Sequence, residues 1–133
     1  MVARQSYFVY PYAKHVFVGA RPGYELNWVH DRFYAVLCNE TMDPSPSLRS
    51  LSDVPLPAIL CSPVELTGNR IFLDRATSSS PTFLDVRSGS NIRYLLIFHG
   101  SEDPSTSELV TLTGLTPGLS EGKPFTVRIC LTL

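Results

Sequence analysis

The segment "HGSEDPSTS", residues 99–107, collects the residue types that hydrolytic and metal sites use: a histidine, two acids and several hydroxyls. A serine hydrolase needs a hydroxyl, an imidazole and a carboxylate that converge in space. This segment contains no G-x-S-x-G elbow that would expose such a serine. Asp103 before Pro104, with hydroxyls on both sides, is instead typical of a turn. We therefore predict a turn between two strands and no catalytic residue here.

Histidine and cysteine elsewhere in the chain are the other candidates for metal or nucleophilic chemistry. They occur at His15, His30, His99, Cys38, Cys61 and Cys130. No two of these residues have the short spacing that zinc sites usually show. His30 beside Asp31 is interpreted as a polar cap before a strand rather than as an acid–base pair. Each cysteine follows an aliphatic residue, which favours buried free thiols in a reducing cytoplasm. We expect no metal, no cofactor and no disulfide.

Length and composition limit the class of protein. The chain has 133 residues, of which 44% are hydrophobic and 17% charged, and this predicts one globular domain over residues 1–133. Its net charge is −1 with acids and bases interspersed, so we expect no specific nucleic-acid binding. No apolar run approaches the roughly 20 residues of a membrane-spanning helix. The N-terminal residues also lack the apolar core of a signal peptide.

Short segments rich in Val, Ile, Phe, Tyr and Thr alternate with turn residues about every ten positions, which predicts an all-β fold. We interpret it as a single antiparallel β-sandwich, Ig-like or jelly-roll-like, with a short N-terminal helix at 10–19 or an N-terminal arm. The predicted strands cover residues 32–39, 58–62, 69–75, 82–86, 91–99, 107–113 and 124–132.

Two of these strands have informative patterns. The residues "LLIF" at 95–98 are apolar on both faces, which predicts a central strand with both faces buried. In the last strand, alternate residues are apolar and predict one buried face. They are Phe125, Val127, Ile129 and Leu131.

The predicted strand at 69–75 carries alternating charges. Arg70, Asp74 and Arg75 are interpreted most simply as a solvated strand face, and alternatively as part of a protein interface. Apolar residues fall on both faces of this strand, so its buried side is ambiguous.

Four aromatic residues lie within six positions near the N-terminus: Tyr7, Phe8, Tyr10 and Tyr12. They favour either a first strand packed on the domain's own core or an interaction arm, residues 1–12, that docks on a neighbouring subunit. If residues 2–12 are such an arm, deleting residues 2–9 should leave the unfolding of the free domain nearly unchanged.

Several motifs, in order, resemble a family of small structural proteins from tailed bacteriophages. The first is a "Y…A…F…G" segment within residues 12–19, followed by "LNWVHDRFYAVLC" at 26–38. Next come "SLRSLSDVP" at 47–55 and "SPVELTGNRIFLD" at 62–74. The last is "IRYLLIFHGSEDPSTSELVTLTGLTPGLSEGKPFTVRI" at 92–129. The chain departs from the family pattern at His99, Pro104 and Lys123, and its C-terminal ending is shorter.

The resemblance implies a non-enzymatic virion protein and brings no catalytic residues with it. It implies a head decoration or cement protein that forms homo-oligomers and binds the major capsid protein or other virion proteins. The alternative is a tail, neck or fibre-associated component, and an enzyme such as a small esterase or nuclease is the alternative of a different class. The expected location is the virion, assembled in the host cytoplasm, with no membrane partner.

Overall fold

The computed structural model describes residues 7–9, 28–29, 31–45, 48–73, 75–100 and 107–132. The regular structure of these residues is ten strands and two single 3-10 turns, at Leu51–Asp53 and Leu56–Ala58. The strands are β1 Tyr7–Val9, β2 Phe33–Cys38, β3 Val64–Glu65, β4 Arg70–Phe72, β5 Arg75–Thr77, β6 Thr82–Phe83, β7 Asn91–His99, β8 Leu109–Leu119, β9 Phe125–Thr126 and β10 Cys130–Thr132. The predicted all-β sandwich class is confirmed.

The first layer is a five-stranded antiparallel sheet in the order β1-β8-β7-β2-β3. Its centre is the antiparallel pair β7–β8, which confirms that the sequence around residues 91–113 forms a hairpin. The predicted turn, residues 101–106, lies outside the described residues. Leu95, Leu96, Ile97 and Phe98 of β7 are all buried, as expected for a central strand covered on both faces.

The second layer consists of a three-stranded sheet, β10-β5-β4, and the short pair β6–β9. The N–H of Val127 donates to the carbonyl of Pro81 between them, so residues 75–83 and 125–132 form one interrupted antiparallel pair. The single strand predicted over 124–132 is therefore wrong, because the ladder is interrupted between β9, which pairs with β6, and β10, which pairs with β5. Its predicted alternation is nevertheless right, since Val127 and Ile129 are buried while Arg128 is exposed.

The segment predicted as a strand at 58–62 forms an irregular edge instead. Ala58 ends a 3-10 turn, and Ile59 then makes an isolated bridge to Cys38 of β2. The N–H of Leu37 donates to the Cys61 sulfur, 3.4 Å away, where a regular ladder would supply a carbonyl. Pro57 and Pro63 on either side have no N–H to donate, which explains why a regular ladder does not form.

At the N-terminus, Tyr7–Val9 pairs antiparallel with Thr111–Thr113 of β8. These three residues belong to the domain's own sheet, so an arm held only by a neighbouring subunit does not describe them. Deleting residues 2–9 would remove an edge strand, and the expectation of unchanged unfolding no longer follows. The predicted helix at 10–19 lies outside the described residues.

The two layers share one hydrophobic core, and Trp28 connects them. Its buried ring lies 5.2 Å from the ring of Phe33 in the first sheet. Its indole N–H points to the second sheet, toward the carbonyls of Arg70 and Thr77. In the described part of the chain, no helix has the length and hydropathy needed to cross a membrane.

Candidate protein-binding surface

Residues 70–73 and 75, called the hairpin tip below, form the most unusual part of the described surface. The predicted single strand over 69–75 is wrong, since β4 and β5 pair antiparallel and the chain reverses direction between Phe72 and Arg75. Phe72 and Leu73 are 74% and 84% exposed, so neither side chain contributes much to the domain's own core. A pair of adjacent large apolar side chains at the end of a hairpin therefore projects into solvent.

The register of the hairpin places charges beside Phe72. Arg75 lies opposite Phe72, and Arg70 is two residues before it on the same strand. Opposite residues, and residues two apart, share a face of a sheet. The outward face thus presents Phe72 between two exposed guanidinium groups, while Ile71 and Ala76 form the inward face.

The backbone at Leu73 is in the left-handed region, with φ of 55°. Among described residues, every other positive φ belongs to a glycine. The left-handed conformation costs a non-glycine residue about 1–2 kcal/mol, and two-residue hairpin turns favour Asn, Asp or Gly there. Leu73 therefore has an unfavourable backbone conformation without gaining burial within the domain. Such strain is a reason to look for function at that position.

The base of the hairpin is fixed from below. The Trp28 indole nitrogen lies 3.2 Å from both the Arg70 and the Thr77 carbonyl oxygens, one on each strand. The side-chain amide of Asn69 donates back to the Trp28 carbonyl over 3.1 Å. The N–H of Ser79 donates to the carbonyl of Thr67 at the point where the two strands of the hairpin diverge. These bonds hold the two strands together below the exposed tip.

Of the interface residues predicted from the sequence, the structure brings Arg70 and Arg75 together on this hairpin. Asp74, between them in the chain, lies outside the described residues, as do Tyr10 and Tyr12. The backbone of Tyr7 and Phe8 is at the edge of the other sheet, so the two predicted groups do not share a strand pair. An intermolecular role for the N-terminal aromatics stays a prediction.

Phe72, Leu73 and Trp28 contribute to this surface but were not predicted as interface residues from the sequence. For Phe72 a signal was present, because a strand over 69–75 would have apolar residues on both faces. For Leu73 no signal was available, since nothing in its residue type favours a turn. Trp28 is the only tryptophan of the chain, and a large aromatic next to a predicted strand suggests a core position without naming its partners.

The polar groups raised as chemical candidates have structural surroundings. The ring of His99 packs edge-on against Phe33, 5.6 Å between centroids. The acids and hydroxyls at 101–106 lie outside the described residues. Within the described ranges, no group of three or more His, Cys, Asp or Glu is placed to hold a metal ion. Burial raises the pKa of the Cys38 thiol to about 12 and that of Cys61 to about 11, so both are protonated at neutral pH.

No known protein family, curated protein or solved structure matches the chain. The geometry of the hairpin tip and the motifs of the sequence are therefore what any functional proposal must rest on.

A substitution at Leu73 tests whether the tip is strained. Replacing Leu73 with asparagine, which tolerates the left-handed region, should raise the free energy of unfolding by about 1 kcal/mol. Urea unfolding measures the change. Leu84→Asn is the matched control, because Leu84 is 73% exposed and its φ is not positive. A loss of stability in Leu73→Asn, equal to or larger than that in the control, would contradict the assignment of strain.

A second prediction concerns acid stability. The Asp85 carboxylate accepts hydrogen bonds from the Ser62 hydroxyl, at 2.5 Å, and from the Ser62 N–H. These bonds favour the charged form and lower the pKa of Asp85. The pKa of Asp53 is lowered in the same way by the N–H groups of Arg49 and Ser50.

Because the pKa of Asp85 is lower in the folded state, the unfolded chain binds a proton at this carboxylate more readily than the folded chain does as pH falls. The stabilisation by Asp85 is therefore fully present above about pH 4, the usual carboxyl range, and is lost as pH falls through the folded pKa. Urea midpoints measured from pH 5 to pH 2 should fall less steeply in Asp85→Asn than in the wild type. Glu40→Gln removes an exposed acid elsewhere and serves as control. Identical pH slopes in Asp85→Asn and the wild type would rule out this contribution.

Proposed function

We propose that this chain is a non-enzymatic structural protein of a tailed-phage particle, and within it a decoration or cement protein that binds the capsid lattice. The ordered motifs over residues 10–129 support the phage assignment. The single structural observation that supports a binding role is the hairpin tip, where two large apolar side chains are exposed and one of them sits on a strained backbone. A protein that acts by binding needs apolar groups that its own fold leaves uncovered.

The proposed mechanism is mechanical. A copy that bridges neighbouring capsid subunits adds buried area across joints that the pressure of the packaged genome pulls apart. An interface on the order of 1,000 Å² per copy is modest on its own. Repeated over a lattice, many such contacts act together and raise the free energy needed to open the shell. The partners are then the major capsid protein and further copies of this chain, and the site of action is the virion.

The arrangement of the tip favours binding over chemistry. Its described side chains are three apolar groups, of which Phe72 and Leu73 are exposed, and two guanidinium groups, with no nucleophile or general base among them. Arginine and aromatic residues together are typical of the centres of protein interfaces. The tip has the composition of such a centre.

Cryo-electron microscopy of intact particles assembled with this protein is the direct test. The expected result is density for the β-sandwich at a position repeated over the head. Density confined to the tail, neck or fibres would replace the decoration role with another virion role. Particles that lack the protein should also open at lower temperature than complete ones. A protein absent from the particle, or one that turns over a substrate, would overturn the proposal.

A further inference from the structure

We infer that the hairpin tip inserts as a knob into an apolar pocket bordered by carboxylates on a different protein, rather than onto a second copy of this chain. The inference rests on the proposed function and specifies the chemistry of the partner surface. It follows from the shape of the tip, its charges and the rigidity of its base.

The shape favours a concave partner. Phe72 and Leu73 are adjacent where the hairpin reverses, and both side chains are exposed there. Two large side chains bury on the order of a few hundred Å², well below the roughly 800 Å² per partner of a stable two-protein interface. The tip is therefore too small to hold a dimer together by itself. It fits the role of an anchor that fills a pocket within a larger or repeated contact.

The positive charges of the tip favour a partner pocket that is bordered by carboxylates. Arg70 and Arg75 are exposed, and within the described residues neither guanidinium forms an ion pair. Other arginines are engaged: Arg87 donates to the Pro57 carbonyl, and Arg32 lies 3.7 Å from Glu65. Guanidinium groups pair well with carboxylates through two parallel hydrogen bonds. Residues 70–75 contain two arginines and one aspartate, so the segment retains a positive charge of one.

The same charges argue against a second copy as the occupant. In a two-fold contact each surface meets itself, so Phe72 against Phe72 would bring the flanking arginines of both copies together. Like charges held opposite one another are unfavourable. A different protein with carboxylates around an apolar pocket avoids this repulsion and satisfies both guanidinium groups. Oligomers of this chain would then form through another surface.

The rigid base makes the tip suitable for binding. The Trp28 indole N–H and the Asn69 amide fix the strands just below the exposed residues. A preformed knob loses less conformational entropy on binding than a flexible loop does.

The test follows incorporation of the full-length protein into particles. Wild type, Phe72→Ser, the double variant Arg70→Glu with Arg75→Glu, and the double variant Arg70→Lys with Arg75→Lys are supplied during assembly. Copies per particle are counted by quantitative mass spectrometry. Leu84→Ser and Lys123→Glu are the controls, since they replace an exposed apolar side chain with serine and an exposed basic side chain with glutamate elsewhere on the surface. Thermal unfolding checks that each variant folds.

We expect Phe72→Ser and the double glutamate variant to lose at least tenfold in copy number, while the lysine variant and both controls remain within about twofold of wild type. Incorporation of wild type should also weaken as salt is raised, because the charges are exposed. If wild type incorporates and the tip variants incorporate equally well, the inference fails and the proposed function stands. If wild type is itself absent from particles, both fail.

A photoreactive benzoylphenylalanine at position 72 identifies the pocket. The expected cross-link joins position 72 to a peptide of another virion protein that carries aspartate or glutamate. A cross-link to a second copy of this chain would falsify the choice of partner. The choice of partner is also contradicted if benzoylphenylalanine at position 84 gives a cross-link and benzoylphenylalanine at position 72 gives none.

Discussion

Replacing Leu96 with alanine is expected to lower the free energy of unfolding by about 2–5 kcal/mol. Leu96 is fully buried in β7, with Val36 of β2 and Leu112 of β8 as its neighbours on either side. Truncating it removes apolar contacts and leaves a cavity in a sheet that is covered on both faces, where neighbouring side chains can collapse only in part.

Urea unfolding followed by the fluorescence of Trp28, the chain's only tryptophan, measures this loss because the indole is buried in the folded state. Leu119→Ala is the control, since Leu119 lies near the end of β8 with 68% of its surface exposed. The control should change stability by less than about 0.5 kcal/mol. A loss in Leu96→Ala no larger than that of the control would show that β7 is not the central strand.

The strands that could be predicted from the sequence are those in which burial alone determines the pattern of apolar residues. Residues 95–98 are apolar at every position, which only a strand covered on both faces tolerates, and β7 is such a strand. The prediction at 32–39 likewise matches β2, Phe33–Cys38. In the last strand the alternation of burial holds at 127 and 129 even though the ladder is interrupted there. The types of the side chains determine which residues are buried, but they do not determine which strand supplies the hydrogen-bonding partner.

Outside the β7–β8 hairpin, pairing and turns could not be predicted because they depend on contacts between distant residues. The hairpin at 70–77 reverses at Leu73, a residue type that turns rarely use, so no local signal marked the reversal. The edge at 59–61 is irregular because Cys61 and two prolines change its hydrogen bonding with β2. Both departures from local rules are readable only once the neighbouring strand is known.

The candidate surface was predicted in part. The alternating charges at Arg70 and Arg75 indicated an exposed face, and both side chains are exposed. Their sequence pattern did not reveal that Phe72 lies between them on that face, because in a single strand Arg75 would lie on the face opposite Arg70 and Phe72, whereas the hairpin pairs it with Phe72. The Phe72–Leu73 exposure follows from the hairpin, and the hairpin is hydrogen-bonded to Trp28, 42 residues before Arg70.

Replacing Trp28 should therefore affect the hairpin more than the rest of the fold. Trp28→Ala removes a fully buried indole and should cost about 3–5 kcal/mol of unfolding free energy. Trp28→Phe retains an aromatic ring next to Phe33 but loses the N–H that reaches the carbonyls of Arg70 and Thr77. Its cost should be smaller, about 1–3 kcal/mol, and the difference between the two variants separates packing from hydrogen bonding.

Amide hydrogen exchange locates the effect of Trp28→Phe. The amides of β4 and β5 should exchange faster, while those of β7 and β8 should change only as far as the loss of global stability requires. Leu96→Ala is the comparison, because it removes packing from the central strand and should accelerate exchange throughout the molecule. Far-UV circular dichroism reports mainly on the backbone, so it gives the stability of both Trp28 variants after the fluorophore is removed. Uniform acceleration in Trp28→Phe, with the pattern of Leu96→Ala, would mean that Trp28 stabilises the core as a whole and does not specifically hold the hairpin.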